Sequence, residues 1–95
     1  MKIDMQYLGL VKTYTKRRQE SMEFPEGVTL REVFDKLAEE HGKEFKKDIY
    51  EPGMDDVKTM FMVMVNGIVM GQLKGLNTEL RDGDKIFLMP LMTGG

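Results

Sequence analysis

The chain has 95 residues, which is one small domain with one core. Hydrophobic residues make up 41%, charged residues 32%, the net charge is −2 and cysteine is absent, which excludes disulfides, thiolate metal sites, iron–sulfur clusters and a cysteine nucleophile. The one histidine, His41, excludes a multi-histidine metal site, the acidic balance leaves no nucleic-acid footprint, and no apolar run approaches the roughly 20 residues that span a membrane.

The start Met1-Lys2-Ile3-Asp4 places an acid where a signal peptide needs an apolar core, so a cytoplasmic protein is the default expectation. Residues 2–12 open with alternation. Ile3, Met5 and Tyr7 fall on one side, Lys2, Asp4 and Gln6 on the other, as in a half-buried strand. The alternation blurs at Leu8-Gly9-Leu10-Val11, and Gly9 is read as a bulge. Lys16-Arg17-Arg18 reads as a solvated turn, with the steering of an acidic partner as the alternative. Residues 19–24 alternate again, with Met22 and Phe24 opposite Ser21 and Glu23, so an antiparallel hairpin is expected. Pro25-Glu26-Gly27 ends it.

A helix is expected from Leu30 to His41. Thr29 and Glu32 form a capping box, and Leu30, Val33, Phe34, Leu37 and Ala38 recur at helical spacing on one stripe. Gly42 is the stop. Residues 43–58 read as an extended connection with a short helix, broken at Pro52-Gly53. Met60-Phe61-Met62-Val63-Met64-Val65, Asn66-Gly67 and Ile68-Val69-Met70 then form a hairpin with the preferred type I′ turn dipeptide. Residues 71–80 are irregular, with Leu73, Leu76 and Leu80 as anchors. Asp82-Gly83 is a tight turn, and a last strand runs from Asp84 to Pro90. One helical stripe implies one buried face, so the expected architecture is α+β: a mixed sheet of about five strands, crossed by one main helix and bare on its other face.

Two signals bear on function. The first is Gly94-Gly95, which at glycine's average usage of ~7% ends about 0.5% of chains by chance. Glycine has no Cβ, so such a tail passes through a narrow tunnel and presents little besides the α-carboxylate of Gly95. A carboxylate is a poor electrophile. Adenylation makes it a mixed anhydride that sulfide, a thiol or an amine can attack, so the chain would be substrate and carrier rather than catalyst. The second signal is the 10 methionines. If Phe61, Val63 and Val65 face the helix, Met60, Met62 and Met64 face away, and Phe87 and Met89 follow the same rule on the last strand. Other features have bland readings. His41 suits a helix C-terminus, and Asp55-Asp56, Asp82 and Asp84 suit loop and turn roles.

The segment Val65-Asn66-Gly67, the run Leu80-Arg81-Asp82-Gly83-Asp84-Lys85-Ile86 and the ending Leu88-Met89-Pro90-Leu91-Met92-Thr93-Gly94-Gly95 resemble the MoaD/ThiS family of ubiquitin-like sulfur carriers. With the capped helix and the first hairpin, the resemblance covers nearly the whole chain. The ending departs from the family's Phe-Pro-Pro-Val-like sequence: one proline and the aromatics are missing. The resemblance implies a β-grasp domain over residues 1–90, with its first and last strands parallel and adjacent, and a tail over 91–95. It implies that an E1-like adenylating enzyme, which uses the ATP, activates Gly95. A sulfurtransferase then supplies the sulfur of a thiocarboxylate. The acceptor is the large subunit of molybdopterin synthase or another protein, and no bound cofactor, metal, nucleic acid or membrane is implied. By the same resemblance Met64, Phe87 and Met89 form the partner-binding patch, continued by Leu91, Met92 and Thr93, with Gly94 and Gly95 as the reactive end. The alternatives are a ubiquitin-like protein modifier, a thiamine or tRNA-thiolation sulfur carrier, and a passive β-grasp interaction module. Leu91 to Gly95 are expected to leave the sheet unpaired, and five extended residues reach about 17 Å.

Overall fold

The computed structural model describes residues 1–91. In it, five strands form one mixed sheet in the order β2-β1-β5-β3-β4. They are β1 (Lys2–Tyr7), β2 (Gln19–Glu23), β3 (Phe61–Val65), β4 (Ile68–Val69) and β5 (Lys85–Pro90). The alternation of β1 sets its faces: Ile3, Met5 and Tyr7 are buried, while Asp4 and Gln6 are half-buried. β1 pairs antiparallel with β2 and parallel with β5, in register Met5↔Ile86 and Tyr7↔Leu88. The first and last strands are therefore neighbours in the middle of the sheet, as the resemblance implies.

The first strand is shorter than its sequence indicates. Its ladder ends at Tyr7, and residues 11–15 form a one-turn helix, α1 (Val11–Thr15). Gly9 is a turn residue with φ +56°, not a bulge within a strand. A Cβ at Gly9 would stand 3.2 Å from the Pro90 ring, tighter than ordinary contact, and the positive φ also favours glycine where the turn closes against the end of β5. Val11 and Thr15, four residues apart, bury the inner side of α1. Lys16 leaves it in the left-handed region, at φ +62°.

The main helix, α2 (Leu30–His41), begins and ends where the sequence places it. Thr29 is extended, and its Oγ1 accepts the Glu32 backbone N–H at 3.4 Å. Gly42, at φ +82°, closes the helix by donating its N–H to the Ala38 carbonyl. Leu30, Val33, Phe34, Leu37 and Ala38 are buried against the inward side chains of the sheet, among them Ile3, Met5, Ile86, Leu88 and Val63.

The stretch after α2 holds α3 (Lys43–Asp48) and then a loop that belongs to the core. Phe45, Ile49, Tyr50 and Val57 are buried, and the Lys58 N–H returns to the Ile49 carbonyl at 2.8 Å. The Tyr50 ring packs on Phe34 with centroids 5.6 Å apart, and its hydroxyl donates to Asp35. At the β3–β4 turn Asn66 and Gly67 have φ +52° and +87°, as a type I′ turn requires. Of the three leucines expected to anchor residues 71–80, Leu76 and Leu80 are buried, whereas Leu73 is 37% exposed. Leu73 lies between two short 3₁₀ turns, Met70–Gln72 and Gly75–Asn77, and only the second carries its leucine inward.

The buried tyrosines give the fold an alkaline limit. Burial, then the bond to Asp35, pushes the Tyr50 phenol from 10.0 up to about 12. Burial, then the bond to Glu20, pushes Tyr7 up strongly. Above about pH 10 the unfolded chain releases phenol protons that the native state keeps. The unfolded state then binds fewer protons, and stability falls as pH rises. We expect the denaturant midpoint to be flat from neutral pH to about 9 and to fall above 10. Tyr50→Phe should make that fall shallower, and an unchanged slope would contradict the assignment.

Candidate functional site

Helix α2 covers one face of the sheet. On the other face the cross-strand register decides what meets what. Met64 lies opposite Phe87, and Met62 lies opposite Met89. All four are half-buried, because cross-strand neighbours shield one another. Val69 of β4 extends the apolar group beside Met64. The β1–β2 half of the face is polar, with Gln6 Nε2 donating to Asp4 at 2.9 Å and to Gln19 at 3.1 Å. The face is thus divided, apolar over β5, β3 and β4 and polar over β1 and β2. The structure brings Met64, Phe87 and Met89 together. It adds Met62, which strand alternation had already placed on this side and which belongs to the group by register.

The apolar half leads towards the tail. The Leu91 N–H donates to the Met60 carbonyl at 2.7 Å, so pairing runs one residue further than expected, while the Leu91 side chain is 56% exposed. Met60 beside it is 58% exposed. The β3–β5 ladder itself ends at the Phe61↔Pro90 pair, and this one further bond holds the Leu91 backbone beside Met60. Met92, Thr93, Gly94 and Gly95 lie outside the described residues.

The Asp82-Gly83-Asp84 turn works at the opposite end of the sheet. Asp82 Oδ1 accepts the Lys2 N–H at 2.7 Å. Asp84 accepts the Arg81 N–H and the Asn66 amide, both at 2.8 Å, and the Asn66 carbonyl oxygen in turn accepts the Lys85 N–H. This pair of acids and Asn66 bind the ends of β1, β5 and β3 together. The motif that marks the resemblance is therefore architectural. Asp84→Ala removes two hydrogen bonds at an exposed turn and should lower stability by about 1–2 kcal/mol, measured as a denaturant midpoint, without altering the open face.

A polar cluster lies at the end of α2. Glu20, on the inward side of β2, accepts the Tyr7 hydroxyl and contacts His41 Nε2 at 3.0 Å and Arg17 at 3.5 Å. Glu20, Glu40 and His41 are the grouped metal-ligand types among the described residues, with ligand atoms within 4.8 Å of one another. Tyr7, His41 and Arg17 already engage the Glu20 carboxylate, so the cluster fastens the edge strand to the helix end. No helix among the described residues is long and apolar enough to cross a membrane.

A five-stranded mixed sheet with a parallel central pair, crossed by one capped helix, defines a ubiquitin-like β-grasp protein. The chain belongs to the ThiS family, whose sequence pattern matches residues 5–95. It thus has the fold of small sulfur carriers and ubiquitin-like modifiers. A relative described as a candidate sulfur carrier, from Archaeoglobus fulgidus, is 29% identical over 70 residues, covering 74% of this chain and 77% of its own. Among solved structures, a candidate molybdopterin converting factor subunit 1 from Pyrococcus furiosus is similar with TM-score 0.72 and 23% identity, over 96% of this chain and 98% of that one. The small archaeal modifier protein 1 of Methanosarcina acetivorans is similar with TM-score 0.78 and 16% identity, over 99% and 96% of the two chains. At such identities the structural likeness speaks for the fold.

Proposed function

We propose that this chain is a sulfur carrier whose Gly95 carboxylate is adenylated by an ATP-using, E1-like partner and converted to a thiocarboxylate. The observation that carries the reading is the continuity of the apolar half-face with the tail root, in a chain whose family match runs through Gly94-Gly95. The activating enzyme docks on Met62, Met64, Phe87 and Met89. Leu91, Met92 and Thr93 contribute to the same contact, and Gly94 and Gly95 enter the partner's active site. The chain supplies the carboxylate and its presentation, and ATP binds the partner. A sulfurtransferase feeds sulfide equivalents to the acyl adenylate. Attack by sulfur at the carbonyl expels AMP and leaves the C(O)S⁻ terminus. The acceptor is the large subunit of a molybdopterin synthase, a reading supported by the likeness to the Pyrococcus molybdopterin converting factor subunit.

A second reading is favoured by the likeness to the Methanosarcina modifier protein: the same adenylate is attacked by a lysine amine of a target protein and the chain ends in an isopeptide bond. One experiment separates them. The carrier, its activating enzyme, ATP and labelled pyrophosphate are assayed for exchange of label into ATP, then supplied with sulfide or with cell protein. Exchange followed by thiocarboxylate, and by pterin dithiolene formation with a synthase large subunit, supports the first reading. Exchange followed only by lysine conjugates supports the second. Absence of exchange with the partner present would overturn both.

A further inference from the structure

The basic run that reads as a solvated turn in the sequence takes on another meaning from its position. Residues 11–18 hold Lys12, Lys16, Arg17 and Arg18 with no acidic residue, in a chain whose net charge is −2. All four are exposed. The fold holds this segment at the tail end of the sheet. The Leu8 N–H donates to the Leu88 carbonyl at 3.0 Å, Gly9 closes on the Pro90 ring, and the Tyr14 ring packs edge-on against Phe61, whose register partner is Pro90. The turn before α1 carries two further exposed apolar side chains, Leu8 at 41% and Leu10 at 50%. Two leucines flanked by a row of cations thus adjoin the root of the tail, on a surface other than the methionine face.

We infer that this surface docks an acidic protein rim around the entrance that receives the tail. The inference rests on the carrier reading and names the chemistry of its partner. Three observations favour protein over nucleic acid. The rest of the molecule is net acidic and repels a polyanion. Exposed leucines seek an apolar contact. The aromatic ring of the segment cannot stack a base, since Tyr14 lies against Phe61 and its hydroxyl donates to Asp48 at 2.7 Å. A basic flank at the tail root raises the association rate and orients the tail before the apolar face engages. Arg17 also pairs with Glu20 within the fold, whereas Lys12, Lys16 and Arg18 make no ion pair among the described residues, so these three carry the proposed contact.

The test compares wild type, the triple variant K12E/K16E/R18E and Met89→Asp in pyrophosphate exchange with the adenylating enzyme isolated from the same cells. For the triple variant we expect kcat/KM to fall at least about tenfold at low ionic strength with kcat retained. The deficit should shrink towards zero near ~1 M salt, where the screening length is about 3 Å. Met89→Asp should lose activity at every salt concentration. Equal kcat/KM for wild type and triple variant at low salt overturns the inference and leaves the carrier reading standing. A deficit that salt does not relieve also overturns it. A wild-type chain that is never adenylated removes the carrier reading and the inference with it. Retention of wild type on immobilised duplex RNA, lost in the triple variant while exchange is unchanged, assigns the strip to nucleic acid and overturns the proposal.

Discussion

Deleting Gly95 should abolish adenylation and thiocarboxylate formation while leaving the fold intact. The change shortens the reach of the reactive carbonyl by one residue, about 3.3–3.6 Å. A misplacement of 1 Å at a reacting centre costs about 10²-fold, so the loss should exceed that by a wide margin. Gly94→Val acts by another route, because a Cβ with two methyls fills the narrow passage that glycine leaves open. Neither change touches the β5 ladder or the bond from Leu91 to Met60 that follows it. Chain termini contribute little to stability, so unfolding free energy should change by no more than about 0.5 kcal/mol. The measurement is a thermal unfolding curve beside a pyrophosphate-exchange assay of the same preparation. A shortened chain that exchanges as fast as the full one would remove Gly95 from the chemistry.

Met89→Asp should separate docking from chemistry. Met89 stands opposite Met62 at the tail end of the apolar half-face. A carboxylate there would have to be desolvated on docking, with no cation among the face's described apolar neighbours Met62, Met64 and Phe87 to receive it. Binding to the activating enzyme should weaken at least about 100-fold, since an unpaired charge in an interface costs several kcal/mol. The isolated domain should remain folded, because Met89 is half-buried rather than core. Poor strand propensity and lost contact cost about 1–2 kcal/mol. For a domain of this size that lowers Tm by roughly 4–8 °C for each kcal/mol. Met89→Leu should restore binding by keeping the apolar volume. Global unfolding of Met89→Asp would place the side chain in the core, and undiminished binding would move the docking surface elsewhere.

The parts of the fold with strong local signals were legible in the sequence. The Thr29 cap, the five-residue apolar stripe and the Gly42 stop bound α2 at both ends, and Asn66-Gly67 marked the turn of the second hairpin. Helix α1 was hidden for a physical reason. Val11-Lys12-Thr13-Tyr14-Thr15 is rich in β-branched and aromatic residues, which favour strands. One helical turn offers a single i, i+4 pair, Val11 and Thr15, too few to show a period. What makes the turn is tertiary: Gly9 closing on Pro90, eighty-one positions away in sequence. The 49–58 loop was opaque because Ile49, Tyr50 and Val57 bury themselves without regular spacing.

The site divided in the same way. Strand alternation placed Met64, Phe87 and Met89 on one face, and register supplied Met62 as a direct partner of Met89. The run Lys16-Arg17-Arg18 stood out in the sequence as a turn, but nothing there joined it to Leu8, Leu10 and Lys12 as one surface. Its meaning comes from the packing of α1 against the end of β5. The Asp82-Gly83-Asp84 run shows the converse: a motif that helps identify the family turns out to tie strand ends together.

The central claim is that sulfur is carried on the Gly95 carboxylate, and fragmentation mass spectrometry of the intact chain tests it most directly. The carrier is incubated with its activating enzyme, ATP and sulfide, then fragmented along the backbone. Whole-chain mass alone does not suffice, because exchanging oxygen for sulfur at the terminus and oxidising any one of the 10 methionines shift it by nearly the same amount. The account predicts the shift only in fragments that contain Gly95, dependent on ATP, absent from the chain lacking Gly95, and converted to a thioester adduct by an alkylating agent. A shift that maps to methionines, or that forms equally without ATP, would contradict it.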